Sequence, residues 1–195
     1  PFNQNFFDFC QEWEFSSLTK NKELFSEDIV VPVVEEAQRE TLTENVLNLM
    51  AKSQIKTLCY DLNNIEFLFN GKVYFLEKNF SLFEEPLTIE KVCQALKSIF
   101  EDKNILKITK NAKEDMHILK KANVSLNNFF DLTLANYVVN TGSLARHIDF
   151  KLEQYLITKE KLLSQMRELK LVDIYNNIEL PLVNVLFDEI DVKTS

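Results

Sequence analysis

The chain has 195 residues, 46% of them apolar, 11% aromatic and 27% charged. That is enough for one domain with a full core and too little for two comfortable ones, and it excludes a disordered tail, a collagen-like repeat and a disulfide scaffold. Lys+Arg 22 against Asp+Glu 30 leaves a net charge of −8, which argues against a general binder of phosphate backbones.

No run of about 18 uncharged apolar residues offers a membrane span, and the start carries no signal-peptide pattern. The opening Pro1 in place of Met suggests a piece of something longer. Cys10, Cys59 and Cys93 are isolated, and His117 and His147 are the only histidines. A structural zinc site is therefore not expected, and a reduced, cytoplasmic setting is.

Two glycines and four prolines favour long helices and well-formed strands over a loop-rich sandwich. From Phe2 to Leu24, Phe6, Phe9, Cys10 and Trp13 recur at helical spacing and predict a packing helix. The apolar run Ile29–Val34, broken by Pro32, fits a short edge strand or a connector. Thr41-Leu-Thr-Glu44 reads as a capped helix start, continued by Leu42, Val46, Leu49 and Met50.

Ile55–Tyr60 predicts a strand ending at Asp61, and two further strands flank Asn70-Gly71, a pair suited to a two-residue hairpin turn. Thr88–Phe100 is amphipathic along its length and predicts one helix. Ile105–Ile108 reads as a short strand, Asp115–Ala122 and Asp131–Val139 as helices, and Lys159–Ile190 as mostly helical up to Pro181. The sum is an α/β layer fold with a mixed sheet flanked by helices, in which the stretch from the strand near 106 through the helix at 115 lies beside the first sheet strand.

Chemistry has few candidate places. Asp61 is either a strand-end turn residue or a site acid at the carboxyl edge of the sheet. Asp115 is either an ordinary first-turn acid or a second site acid. Lys103, Lys107, Lys110, Lys113, Lys120 and Lys121 form either a solvated surface or a phosphate-facing patch. His117 has no nucleophile motif to serve, and two glycines cannot build a phosphate-binding loop.

The run Leu106-Lys-Ile-Thr-Lys-Asn111-Ala-Lys-Glu-Asp115-Met-His-Ile-Leu119, with Val124 and then Phe129 to Asn140, resembles the second exonuclease motif of bacterial DNA polymerases of the type I family. Asn177 to Leu186 resembles the passage from proofreading to polymerase domain in that family, and Phe9 to Leu18 is similar to the connector after its 5′-nuclease portion. The resemblance implies a ribonuclease H-like fold and 3′–5′ exonucleolytic proofreading by two divalent metal ions about 3.5–4 Å apart. It divides the chain into a connector helix over 1–28, an exonuclease-like domain over 29–176 and the start of a polymerase region over 177–195.

The family uses four acids, and here two survive. The first motif reads Tyr60-Asp61-Leu62-Asn63, with Asn63 where the resemblance implies a glutamate. The second keeps Asn111 and Asp115. In the third, Tyr155 is followed four residues on by Lys159, and Tyr175 with Glu179 has the spacing but lies in the exit segment. Two aspartates face the four positive charges of a metal pair, so Asp61 and Asp115 are expected to hold ions weakly or not at all.

The expectation is a domain that has kept its fold and lost its hydrolytic chemistry, with Asp61, Asn63 and Asp115 as vestiges. No tightly bound cofactor is expected, and Mg²⁺ or Mn²⁺ would serve any residual activity. Lys110, Asn111 and Lys113 are the candidate contacts to single-stranded DNA. The polymerase and 5′-nuclease regions of one parent chain are the expected partners. The competing expectation is a working exonuclease that recruits Glu153 or Asp149 as a further acid.

Overall fold

The computed structural model describes residues 34–78, 83, 85–140 and 150–179. The expected opening helix, most of the Ile29–Val34 run, Asp149 and everything beyond residue 179 lie outside these.

The central feature is a six-stranded sheet. Its strands are β1 (Gln38–Thr41), β2 (Thr57–Asp61), β3 (Glu66–Phe69), β4 (Lys72–Phe75), β5 (Leu106–Thr109) and β6 (Phe129–Asp131), in the spatial order β1-β4-β3-β2-β5-β6. β2, β3 and β4 form an antiparallel meander, β5 and β6 continue parallel to β2, and β1 adds a parallel edge to β4. This is the mixed, helix-flanked sheet of a ribonuclease H-like fold.

The meander turns where the sequence permits it. Asn70 and Gly71 adopt φ of 51° and 76°, the pair of positive angles a tight hairpin needs to match the strand twist. Phe69 and Lys72 then face each other across the turn.

The helices are α1 (Glu44–Lys52), α2 (Ile89–Ala95), α3 (Lys97–Glu101), α4 (Ala112–Lys121), α5 (Leu132–Val139), α6 (Tyr155–Glu168) and the short α7 (Val172–Ile174). Side chains on β2 alternate between two cores. Leu58 and Tyr60 face α1–α4 and pack with Met50, Val92, Leu96 and Phe100, whereas Cys59 faces α5 and α6 and packs with Val138, Leu162 and Met166. The period of two along a strand is what lets one sheet serve both layers.

Several expectations need correction. Thr41 ends β1 and does not cap a helix; Thr43 is the cap, its hydroxyl accepting from the Val46 N–H. The helix expected over Thr88–Phe100 divides at Leu96, whose backbone (φ −98°, ψ 11°) leaves the helical region while its side chain stays fully buried. Asp131 is the last residue of β6 and the N-cap of α5, so the strand at 129–131 precedes the expected helix.

The long helix after Lys159 begins earlier, at Tyr155, and stops at Glu168. There Lys170 takes φ of 56°, the Leu171 N–H reaches the Met166 carbonyl at 2.7 Å, and the Lys170 N–H reaches that of Arg167 at 3.2 Å. This is a Schellman stop built without glycine. Among the described residues no helix is long and apolar enough to cross a membrane.

Candidate nuclease-type site

β2 and β5 run parallel, with Cys59 opposite Ile108. Two residues further along each strand direction this register brings Asp61, the last residue of β2, beside Lys110, just past the end of β5. The Lys110 ammonium lies 3.8 Å from Asp61 Oδ2.

The chain turns sharply after Asp61 and folds back onto its carboxylate. The Asn63 and Asn64 N–H groups donate to Oδ1 at 3.0 and 3.3 Å, and the Asn64 side chain donates to Oδ2 at 2.9 Å. Asn63 does not turn its amide toward Asp61; its Nδ2 donates to Glu114 Oε2 at 2.8 Å.

Asp115 sits in the first turn of α4, which Asn111 caps by accepting from the Glu114 N–H at 3.4 Å. Its carboxyl is buried and accepts from the Thr109 hydroxyl. Burial pushes Asp115 up to about 7, helped by the negative charges of Asp131 and Asp61, while Thr109 and Tyr60 work the other way.

A third acid joins them that sequence reasoning took only as a helix start. Asp131 accepts from the Ala112 N–H and the Leu134 N–H, both at 2.9 Å, and so holds the N-termini of α4 and α5 together. Its own N–H donates to the Tyr175 hydroxyl at 2.9 Å. Burial raises its carboxyl to about 6 against the pull of those N–H donors. The available signal was an acid directly before the apolar Leu-Thr-Leu run, an N-cap pattern.

Tyr155, at the start of α6, is fully buried, and its hydroxyl has no hydrogen-bond partner among the described residues. Burial raises it strongly, with Asp61 and Asp115 adding to the effect. One turn on, the largely buried Lys159 pairs with Glu160 at 2.9 Å, and its charge also acts on Cys59, two residues before Asp61. Tyr175 serves Asp131, and the side chain of Glu179 is not described.

A cleft of about 240 Å³ opens beside Asp61; Arg39, Asn64, Glu66, Lys110 and Glu153 are among its walls. Glu153 reaches it from the turn before α6 and accepts from the Ala37 N–H at 3.3 Å. The six lysines, read either as a solvated surface or as a phosphate-facing patch, are not all at the surface. Lys107 is fully buried, donating to the carbonyls of Asp102 and Ile105 at 2.6 Å each, and desolvation draws its ammonium down to about 8. Lys113 is half-buried, and Lys103, Lys120 and Lys121 are exposed.

Asp61 and Asp131 end β2 and β6, the strands on either side of β5, and Asp115 lies in the first turn of α4, on the mixed β1-β4-β3-β2-β5-β6 sheet of the ribonuclease H-like class. A family profile described as 3′–5′ exonuclease matches residues 65–177, more than half of the sequence, and the chain belongs to that family. A DNA polymerase I of Rhizobium leguminosarum is 29% identical over 75 residues, which are 38% of this chain and 7% of that protein. The match thus spans a small part of that relative's length.

Proposed function

We propose that this chain is the 3′–5′ exonuclease-type domain of a DNA polymerase I-like protein, that it no longer hydrolyses phosphodiesters, and that it serves as a structural spacer or DNA-positioning domain. The carrying observation is the first motif: Asn63 stands where the family resemblance implies a carboxylate, and its amide is committed to Glu114. A pair of hard dications needs several anionic oxygens to offset its mutual repulsion. Here Asp61 is engaged by three N–H donors and an ion pair with Lys110, Asp115 is buried with a raised pKa, and the position four residues after Tyr155 is a lysine, Lys159, paired with Glu160. That donor set does not fit two metal ions.

The spacer role has more support than DNA contact, because Lys110 is turned to Asp61 and Asn111 caps α4. In the parent chain the neighbours would be a polymerase and a 5′-nuclease region.

The test is incubation with an end-labelled single strand in Mg²⁺ or Mn²⁺. No mononucleotide release is expected. Release from the 3′ end that Asp61→Ala abolishes would overturn the proposal. It would favour the active-exonuclease reading, for which Glu153 on the wall of the Asp61 cleft is the supporting observation.

A further inference from the structure

A carboxylate offers about four lone-pair directions, and three N–H donors occupy Asp61: two backbone groups on Oδ1 and the Asn64 amide on Oδ2, with the Lys110 ammonium forming an ion pair with Oδ2 at 3.8 Å. The Asp61 side chain is 9% exposed and lies on the wall of the cleft, with Lys110 on the same wall. Glu114, the carboxylate on the neighbouring turn of α4, is engaged in turn by Asn63.

We propose that Lys110 is a built-in counter-cation, its ammonium tethered by the register of β5 against β2 into the place beside Asp61 that a divalent ion would need, with the Asn64 amide donating to the same oxygen. The inference rests on the reading of the domain as hydrolytically inactive and names what keeps it so. A tethered ammonium is present at unit occupancy whatever the ion concentration, whereas a free dication must displace it and then share oxygens already taken by N–H donors. Asp61 in this protein is a structural anion that joins the β2 turn to the end of β5.

Paramagnetic titration with Mn²⁺ tests this directly. The natural chain is expected to leave the Mn²⁺ signal that of free ion at submillimolar concentration. Lys110→Ala with Asn64→Ala is expected to bind one ion at least about tenfold more tightly, and adding Asp61→Asn is expected to remove the gain. Lys110→Gln alone, which keeps the length of the stem, is the second variant should the double one fail to fold, and is expected to gain part of the affinity.

Equal Mn²⁺ binding by the natural chain and the folded variants would overturn the inference. So would no gain in a folded variant, or a gain that survives Asp61→Asn. A nuclease assay on the same samples separates the two levels. Nucleotide release by the natural chain sinks the inactive reading itself, whereas silent samples without a gain in affinity sink only the role of Lys110.

Discussion

Asp115 and Asp131 carry the clearest pH signature in the molecule. An acid whose folded pKa lies above its unfolded value of 3.8 favours the folded state while it stays protonated there. That contribution is complete below about pH 4 and is lost as pH rises through about 6 for Asp131 and about 7 for Asp115. The share of each falls by about 1.4 kcal/mol per pH unit inside its window. Asp115→Asn keeps the shape and an acceptor for the Thr109 hydroxyl while removing the charge. The variant is expected to be more stable than the natural chain above pH 7, with a flatter profile between pH 6 and 7, in urea unfolding at a series of pH values. A variant with an unchanged profile would show that Asp115 is not the titrating group. At this scale the positions of Asp61 and Asp115 at a strand end and in a first helical turn were legible, whereas Asp131 was read only as a helix start. Their partners were not: Asn63 with Glu114 and Lys110 with Asp61 are separated by about fifty residues of sequence, and only the strand register brings them together.

Turns and stops show where local sequence decides and where it yields. Asn70-Gly71 names its own turn, because few other residues tolerate two consecutive positive φ angles. A Cβ on Gly71 would meet nothing within 4 Å, so Gly71→Ala strains only the backbone. The expected loss is about 1 kcal/mol. Lys170 is the mirror case, a residue with a Cβ held at φ 56° in a Schellman stop. Lys170→Gly relieves that strain at some added unfolded-state entropy, for an expected gain of a few tenths to about 1 kcal/mol. Opposite shifts in the urea midpoint, at unchanged slope, are the outcome that supports both. A loss at Lys170→Gly would mean that its stem packing matters more than its backbone. The stop escaped the sequence reading because no glycine marks it, and the Met166 and Leu171 side chains that pack around it look like ordinary continuation of a helix. The edge strand β1 escaped for the opposite reason: Gln-Arg-Glu-Thr has no apolar alternation, and its place is set by pairing with β4.

The α/β class with a mixed, helix-flanked sheet was readable because apolar runs and helical stripes alternate cleanly along the chain. The division into two cores was not, since periodicity says which residues are buried and not against which layer. That division has a consequence for the spacer role, because a spacer transmits geometry only if its layers unfold as one. β2 contributes Leu58 and Tyr60 to one core and Cys59 to the other, so neither layer can open without exposing the strand they share. Ile99→Val in the α3 layer is expected to cost about 0.5–1.5 kcal/mol, and Leu162→Ala in the α6 layer about 2–5 kcal/mol. Both side chains are nearly or fully buried. Followed by far-UV circular dichroism and by tyrosine fluorescence, each variant is expected to shift a single transition seen identically by both probes. The two losses should add to within about 0.5 kcal/mol in the double variant, because the sites contact different layers. Two separated transitions, with Leu162→Ala moving only one, would mean that the α5–α6 layer opens independently of the rest and could not hold a fixed spacing.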